Sequence, residues 1–263
     1  MADEIGGAME PNHTMVINEM SETMNVLEIF SSIQGEGTMA GIYATFVRLA
    51  GCNLDCKWCD TKATMARKAK RMTFDEIDAI IESGKTNHVI FTGGEPLLQQ
   101  KQMFQFMKET GPRIWHIETN GTIKVEPDDA RMAHIVVSPK LPSAFGMAKT
   151  VNGPSAIDKL FASQYSPLEI MNSWIHTSGD VEFKFVIDTD DDVDAFKKIM
   201  ENPPRGLSHH QIVLQAAGPA KGGPSSIVLS STKQLIERMK PFLIGSHTNI
   251  RIGAQLHKIL DVA

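Results

Sequence analysis

The side chains best suited to chemistry are three cysteines within one eight-residue window, Cys52-Asn53-Leu54-Asp55-Cys56-Lys57-Trp58-Cys59. The 263-residue chain has no other cysteine. Gaps of three and two residues let a single loop wrap one small inorganic centre, and iron–sulfur clusters are usually held by four thiolates. Three thiolates without a fourth therefore suggest a 4Fe-4S cluster in which one iron is left for a group that is not protein.

Two other uses of these cysteines have to be weighed. Disulfide bonds are disfavoured, because the number of cysteines is odd and the amino terminus does not resemble a signal peptide. Zinc stays open, since a structural zinc site takes four ligands and one of the nine histidines could be the fourth. None of these histidines lies within ten residues of the cysteines.

Charge is unevenly distributed along the chain. The formal net charge is −5, and residues 1–24 contain five acidic residues but no lysine or arginine. The remaining residues carry 26 acidic and 26 basic side chains. We expect a mobile acidic extension over residues 1–23 and one domain over residues 24–263. The neutral domain disfavours nucleic acid as a partner.

Apolar runs in the chain stay well short of the ~20 residues that a membrane-spanning helix needs. The composition therefore disfavours a membrane protein. Free cysteines and an oxygen-sensitive cluster favour the reducing cytoplasm as the location.

The apolar pattern predicts strands that alternate with helices. The predicted strands are Val26–Phe30, Ala44–Leu49, His88–Phe91, Ile114–Ile117, His134–Val137, Val181–Ile187 and Ile212–Leu214. A capping-box pattern at Thr73-Phe74-Asp75-Glu76 begins one helix, and further helices are predicted around Phe104, over Asp190–Met200 and over Ser231–Met239. This alternation implies a parallel sheet with right-handed crossovers, whose sites lie at the carboxyl ends of the strands.

One predicted strand ends in Gly93-Gly94-Glu95-Pro96, just before a predicted helix. This segment could be only a strand-to-helix turn with proline near the helix start. Two glycines, however, let a ligand approach the backbone closely, and Glu95 adds a carboxylate that suits the ammonium group of a bound amino acid.

Together with the cysteine loop, this motif resembles the radical S-adenosylmethionine (SAM) superfamily. More narrowly, the chain from about Met24 onward is similar to the 7-carboxy-7-deazaguanine synthase family. The motifs that carry the similarity are Ser32-Ile33-Gln34-Gly35-Glu36-Gly37, Phe46-Val47-Arg48-Leu49-Ala50-Gly51-Cys52-Asn53-Leu54, Trp58-Cys59-Asp60-Thr61, Glu118-Thr119-Asn120-Gly121, Ser138-Pro139-Lys140 and Gln255-Leu256-His257-Lys258. The resemblance implies an incomplete or modified (βα) barrel of the radical SAM type.

The resemblance also implies a reaction. SAM, cleaved reductively at the cluster, gives a 5′-deoxyadenosyl radical that takes a hydrogen from C6 of 6-carboxy-5,6,7,8-tetrahydropterin. The ring contracts, ammonia leaves, and 7-carboxy-7-deazaguanine forms for queuosine and other 7-deazapurines. The hydrogen returns to the cofactor, so SAM acts catalytically, and Mg²⁺ assists.

By the same resemblance, each ligand has its own set of residues. The cluster would be held by Cys52, Cys56 and Cys59. SAM would contact Trp58, Cys59, Asp60, Gly94, Glu95, Ser138, Pro139 and Lys140. The magnesium ligand would be Thr61. The pterin would contact Ile33, Gln34, Gly35, Glu36, Arg48, Thr92, Glu118, His257 and the terminal carboxylate of Ala263.

The residue types suit these roles. Glu36 can pair with a guanidine-like edge, Arg48 offers a planar fork to a carboxylate, and Thr61 offers a neutral oxygen to Mg²⁺. Outside this context Arg48 would be part of a surface ion pair and Thr61 would be a helix cap.

Partners and rival functions complete the predictions. The segment Arg67-Lys68-Ala69-Lys70-Arg71 is either a solvated face or mobile linker, or a docking patch for an acidic, flavodoxin-type reductant. The resemblance implies a homodimer.

One rival is a glycyl-radical-enzyme activating enzyme, which needs an open groove for a protein substrate. The others are an iron–sulfur electron carrier and a zinc-stabilised binding module, neither of which needs Gly-Gly-Glu-Pro.

Overall fold

The computed structural model describes residues 22–147, 154–177, 180–218, 225–245 and 249–262. Within them the chain forms one sheet of nine strands in the order β3-β1-β2-β4-β5-β6-β7-β8-β9. The strands are β1 (Thr23–Ile33), β2 (Tyr43–Leu49), β3 (Lys70–Thr73), β4 (His88–Gly93), β5 (Ile114–Thr119), β6 (Ala133–Val137), β7 (Val181–Ile187), β8 (Ile212–Ala216) and β9 (Arg251–Gly253). The edge strands β3 and β9 do not pair with each other in this described sheet, so the predicted incomplete barrel is confirmed.

Helices connect most of the strands. They are α1 (Lys62–Met65), α2 (Phe74–Ser83), α3 (Gln100–Glu109), α4 (Pro127–Ala130), α5 (Ala156–Phe161), α6 (Pro167–Trp174), α7 (Asp190–Glu201), α8 (Ser225–Gly245) and α9 (Leu256–Ile259). The predicted capping box begins α2, because Glu76 N donates to Thr73 Oγ1 (3.2 Å) and Thr73 N donates to Glu76 Oε2 (2.9 Å). No helix in the described ranges combines the length and apolar character needed to cross a membrane.

The sheet is parallel from β2 onward, as predicted, but its first part is not. β1 pairs antiparallel with both β2 and β3. Only residues 34–42 connect β1 to β2, whereas a parallel crossover needs a dozen or more residues. The basic segment also differs from the mobile-linker interpretation, since Lys70 and Arg71 are part of β3 and pair with β1.

Along the buried strands, side chains alternate between the apolar core and the site. In β7, Phe183 and Phe185 are fully buried in the core, and Phe185 packs edge-on against Phe196 of α7 with ring centroids 5.2 Å apart. The intervening Lys184 and Val186 line a cavity. Successive side chains of a strand point to opposite faces, so one face packs against helices while the other presents polar groups.

Candidate active site

A cavity of about 720 Å³ lies at the carboxyl ends of the parallel strands. Most of the residues predicted for the site line it: Ile33, Gln34, Gly35, Glu36, Arg48, Cys52, Cys56, Trp58, Cys59, Asp60, Thr61, Thr92, Gly94, Glu118, Ser138, Lys140 and His257. Glu95 and Pro139 are not among its lining residues. Ala263 lies outside the described residues, so the predicted contact of its carboxylate stays a prediction.

The three cysteines lie in one loop, residues 50–61, which we call the cluster loop. Its start is fixed by Glu95 N, which donates to Gly51 O at 2.8 Å. Asn53 fixes its middle, since Asn120 Nδ2 donates to Asn53 Oδ1 at 2.9 Å. The loop is therefore tied to the ends of two neighbouring strands, β4 and β5.

The paired glycines at the end of β4 allow this close approach. A Cβ atom added at Gly94 would lie 2.0 Å from Gly51 O, and one at Gly93 would lie 2.1 Å from Leu49 O. Gly93 also has a φ of +132°, which other residues rarely adopt. In the structure, the glycines let the cluster loop pack on β4, which is a different use from the ligand approach expected from the sequence.

The donor set suits a cluster better than a single metal ion. Cys52, Cys56 and Cys59 all line the cavity, yet across the described ranges no three His, Cys, Asp or Glu side chains are grouped so as to hold one metal ion. A structural zinc site needs four such ligands around one point, whereas in a cluster each thiolate binds a different iron. The three thiols that line the cavity thus fit a 4Fe-4S cluster, in which each thiolate binds its own iron.

Glu95 is buried and already engaged by the protein. Its carboxylate accepts hydrogen bonds from Leu97 N (3.0 Å), Thr119 Oγ1 (2.8 Å) and Asn120 N (2.7 Å). Burial raises the pKa of this carboxyl, and the hydrogen bonds from Asn120, Thr119 and Leu97 counteract the shift. Through these hydrogen bonds, Glu95 joins the end of β4 to the end of β5. Its contact with an ammonium group stays a prediction.

Lys140 and Trp58 form one wall of the cavity near the cysteines. Lys140 Nζ donates to Ser138 Oγ at 2.9 Å and lies 5.5 Å from the centre of the Trp58 ring. Trp58 Nε1 donates to Ser143 Oγ at 2.9 Å, which fixes the indole. Burial lowers the pKa of Lys140, and the thiol groups and Glu95 oppose this shift. A cation held here suits an anionic group of a ligand.

Thr61 lies beside the last cysteine, with its Oγ1 3.3 Å from Cys59 Sγ. Thr61 is the N-cap residue of α1, but its side chain makes no capping hydrogen bond. The helix-cap alternative for this hydroxyl is therefore wrong. The neighbouring Asp60 accepts from Lys258 Nζ at 2.9 Å, which joins the cluster loop to the carboxyl-terminal segment.

At the other end of the cavity, a chain of charged and amide groups joins four elements. Lys184 Nζ donates to Glu36 Oε2 (2.7 Å) and to Glu118 Oε2 (2.8 Å). Gln255 Nε2 donates to Glu36 Oε1 (2.7 Å), and Gln34 Nε2 donates to Glu118 Oε1 (2.9 Å). We call these five residues the Lys184 network.

The contacts of the Lys184 network stabilise the charged forms of Glu36 and Lys184. Burial alone would raise the pKa of Glu36, but Lys184 and Gln255 hold it far below its usual value. Burial alone would likewise lower the pKa of Lys184, but Glu118 and Glu36 raise it well above that of a free lysine. Glu36 and Lys184 are thus both ionised at neutral pH.

Arg48 faces the cavity and is also half of an ion pair. Its Nε donates to Glu28 Oε1 at 2.8 Å, and its guanidinium lies 5.5 Å from the centre of the Phe30 ring. Arg67 Nη1 donates to the other oxygen of Glu28 at 3.0 Å. The Arg48 side chain is only 16% exposed. The ion pair that was the alternative to substrate binding therefore exists, and it fixes Arg48 at the cavity wall.

The carboxyl-terminal segment packs over the β1–β2 connection. Leu256 N donates to Gly35 O at 2.9 Å. A Cβ atom at Gly35 would lie 1.9 Å from His257 Nδ1, so only glycine fits beneath this histidine. Burial lowers the pKa of His257 and Glu36 opposes the shift. Residues more than 200 positions apart in the sequence thus meet at the site.

Lys184 and Gln255 are site residues that the sequence did not predict. A signal for Lys184 was present, because it is a charged residue at the centre of the apolar strand Val181–Ile187 and is 6% exposed. Lysine is almost never buried unless it is paired, so its position implies partners on the facing elements. Gln215 also lines the cavity, with its Oε1 buried and without a hydrogen-bond partner in the described part of the chain.

Comparisons with known proteins agree with this geometry. The radical SAM superfamily matches residues 47–134. The chain is 33% identical to the 7-carboxy-7-deazaguanine synthase of Methanospirillum hungatei over 244 residues, which is 92% of this chain and 87% of the relative. It is 32% identical to the enzyme of that name from Thermoplasma acidophilum over 241 residues, covering 90% of this chain and 97% of the relative.

A solved structure shares the fold. The crystal structure of QueE from Escherichia coli matches with a TM-score of 0.56 and 24% sequence identity, covering 89% of this chain and 95% of that chain. The similarity in sequence extends over nearly the whole of both curated relatives. This chain belongs to the 7-carboxy-7-deazaguanine synthase family within the radical SAM superfamily.

Proposed function

We propose that this chain is a radical SAM lyase that converts 6-carboxy-5,6,7,8-tetrahydropterin to 7-carboxy-7-deazaguanine with loss of ammonia, in queuosine-type 7-deazapurine biosynthesis. Family membership over 92% of the chain supports this function. The observation that carries it is that the cysteine loop and the Lys184 network line the same cavity. A radical source and a polar, pterin-sized site are thus placed together.

The cofactor end would hold the cluster and SAM. Cys52, Cys56 and Cys59 would bind three irons, and the cluster with SAM would supply the radical chemistry that removes hydrogen from C6 of the pterin. Lys140 is placed for an anionic group of SAM, and Trp58 beside it offers an apolar face. Gly94 lines the cavity with its backbone at the end of β4.

The substrate end would recognise the two polar edges of the pterin. Glu36 and Glu118 are ionised acceptors that suit the N–H groups of its guanidine-like edge. Arg48 is the cation placed for the carboxylate, and its ion pair with Glu28 is made through Nε. Holding both edges fixes which atom of the ring faces the radical, and such orientation supplies much of the rate.

The carboxyl-terminal segment would close the site. His257 lies directly over Gly35, and Gln255 reaches Glu36. A segment over the site would reduce the access of water to a reactive radical. Family membership disfavours a glycyl-radical-enzyme activating enzyme, which would need an open groove for a protein substrate.

Thr61 would provide an oxygen to Mg²⁺. Its hydroxyl makes no helix cap, and Thr61 lines the cavity beside Cys59. Mg²⁺ keeps several water ligands and takes further oxygens from the substrate. A single protein oxygen at this place suits such an ion.

A flavodoxin-type reductant would approach the side of the cluster loop. Exposed Lys57, Lys62 and Arg67 lie close to it in the sequence, and cationic groups suit an acidic partner. Part of the predicted basic patch has other contacts, because Arg67 pairs with Glu28 and Arg71 Nε donates to Thr23 Oγ1. A homodimer and a cytoplasmic location remain our expectations.

Anaerobic turnover tests this function. Reconstituted protein is incubated with the pterin, SAM, Mg²⁺ and dithionite, and product is followed by mass spectrometry. We expect 7-carboxy-7-deazaguanine to form with SAM recovered. Formation of 5′-deoxyadenosine without any change of the pterin would retain the radical SAM chemistry and overturn the substrate.

A further inference from the structure

Lys184 is a buried cation that no motif of the chain includes. It lies in the middle of β7, where Phe183 and Phe185 on either side are fully buried in the apolar core. Its side chain is 8% exposed and makes ion pairs with Glu36 at 2.7 Å and Glu118 at 2.8 Å. Burying a lysine costs desolvation free energy, and its charge therefore needs partners that compensate for this cost. The presence of this buried lysine at the cavity therefore requires an explanation.

The two carboxylates are held in one orientation. Lys184 binds one oxygen of each, while the second oxygen of Glu36 accepts from Gln255 and that of Glu118 accepts from Gln34. The bridging ammonium places two like-charged oxygens within two hydrogen-bond lengths of each other. Each carboxylate oxygen still has a lone pair for another donor. The result is a pair of fixed, adjacent acceptors at the cavity wall.

A role for Lys184 as a proton donor, for example to the leaving ammonia, does not fit this geometry. Its two carboxylate partners favour the charged form, and the pKa of Lys184 is raised well above that of a free lysine. A general acid works best when its pKa lies near the operating pH. Lys184 instead keeps its proton throughout and acts as a fixed charge.

We propose that Lys184 is a positioning residue that keeps Glu36 and Glu118 paired as adjacent, ionised acceptors for the N–H donors of the guanidine-like edge of the pterin. This proposal rests on the proposed function. Lys184 acts through the two carboxylates and not by its own contact with the reacting atoms. It thereby determines specificity, because an edge that presents acceptors instead of donors would face two negative charges.

The pairing has a chemical consequence when the lysine is removed. Without the ammonium between them, the two part-buried carboxylates would repel each other, so sharing one proton would be favoured and the pKa of one would rise. The protonated carboxyl would donate where the pterin needs an acceptor. Binding of the pterin would then require release of that proton, so affinity would increase as the pH rises.

The test is the affinity for the pterin without turnover. Reconstituted parent and Lys184→Met proteins, with SAM but no reductant, are titrated with 6-carboxytetrahydropterin under anaerobic conditions between about pH 6 and about pH 8. We expect the dissociation constant of the variant to be at least about tenfold higher at neutral pH. We also expect it to fall with rising pH relative to the parent.

Other titratable groups near the network are common to both proteins. They are His257, Lys140, Glu182 and the Arg48–Glu28 pair. Any pH dependence that they cause appears in both profiles, so the ratio of the two dissociation constants is the measured quantity. A ratio near one at every pH would overturn the proposal.

Two further variants make the result decisive. Lys198→Met removes a lysine from the exposed ion pair with Asp158, and it should leave the affinity and its pH profile unchanged. If Lys184→Met does not fold, Lys184→Gln keeps an N–H donor but not the charge, and the same pH-dependent loss is expected. Parent-like binding by Lys184→Gln would then overturn the proposal.

Failure of this proposal can be told from failure of the proposed function. If the parent binds and converts the pterin and the Lys184 variants do so equally well, only the role of Lys184 is wrong. If the parent neither binds nor converts the pterin, the proposed function is wrong and the role of Lys184 falls with it.

Discussion

The three cysteines at one end of the cavity come from eight consecutive residues, whereas the charged groups at the other end come from elements up to 148 residues apart. At the cofactor end, the thiol contacts are local: Cys59 Sγ lies beside Thr61 Oγ1, and the backbone of Leu54 hydrogen-bonds to the Cys52 thiol. At the substrate end, four hydrogen bonds already connect Gln34, Glu118, Lys184, Glu36 and Gln255.

This difference reflects what each end binds. A cluster joins its own ligands, so the protein only has to bring three thiols to one wall and leave them accessible. A pterin is recognised by hydrogen bonds to fixed polar groups, and these have to be oriented before it arrives. Substitutions at the cofactor end should therefore remove a bound group, whereas substitutions at the substrate end should change affinity and coupling.

The largest effect is expected from the cysteines. Replacing Cys52, Cys56 or Cys59 by alanine should abolish turnover and leave little stable cluster, because each thiolate holds one iron and the chain has no other cysteine. The measurements are iron and sulfide content and the formation of 5′-deoxyadenosine.

A matched control for this prediction lies in the same loop. Asp55 has a side chain that is 87% exposed and pairs with Lys62, so Asp55→Asn should keep the cluster. A single cysteine variant with a full cluster and parent-like turnover would contradict the assignment of the cofactor end.

A crossed pair of substitutions tests whether the two ends are independent. Glu95→Gln should weaken SAM binding more than pterin binding, because it replaces an acceptor of three hydrogen bonds that fixes the β4 and β5 ends beside the cluster loop. Glu118→Gln should do the reverse, because it removes one ionised acceptor. Hydrogen bonds to charged groups contribute about 1.5–3 kcal/mol, which corresponds to tenfold or more in affinity.

Calorimetry on the reconstituted proteins measures both affinities. The free energy of unfolding is measured beside them, since Glu95 is fully buried and its amide variant would place an extra donor among donors. If either variant lost affinity for SAM and for the pterin equally, the two ends of the cavity would be coupled.

Arg48→Lys is expected to have a smaller effect, confined to the substrate end. Lysine keeps the charge but loses the planar fork that can bind Glu28 and a carboxylate together. We expect a higher Michaelis constant for the pterin, about tenfold lower kcat/KM, and more 5′-deoxyadenosine released without product.

The control for Arg48 is Arg131→Lys, at an exposed ion pair with Asp128. Product and 5′-deoxyadenosine are quantified in the same reactions. Parent-like coupling in Arg48→Lys would assign Arg48 a structural role through Glu28 and leave the carboxylate to another residue.

The comparison of the two ends also explains what the sequence could predict. The cysteine spacing and Gly93-Gly94-Glu95-Pro96 are local, so they could be read without the fold, and the strands from β4 to β8 follow from their apolar runs. Lys184 could not be placed, because its partners at positions 36 and 118 are known only once β7 and β5 lie in one sheet. The antiparallel β1 could not be predicted from alternation, which is the same for either direction.

Glu95 shows a further limit. Its position after two glycines predicts a contact with the cofactor, which stays a prediction, and the same position brings it next to the end of β5, where Thr119 and Asn120 donate to its two oxygens. A sequence motif identifies the residue and its neighbourhood. Which of several nearby donors a carboxylate binds depends on packing that is not local.

The smallest effect is expected where the two ends meet, at Thr61. Thr61→Ala should reduce the stimulation of turnover by Mg²⁺ and spare the cluster, because the hydroxyl lies beside Cys59 but is not a thiolate ligand. One neutral oxygen is a weak ligand among several waters, so we expect only a loss of about twofold to fivefold. The substitution removes no helix cap, since this side chain makes no capping hydrogen bond to α1.

Thr61→Ser keeps the oxygen and should behave as the parent. The measurement is turnover as a function of Mg²⁺ concentration in the three proteins. Superimposable curves for parent and Thr61→Ala would show that Thr61 is not a magnesium ligand.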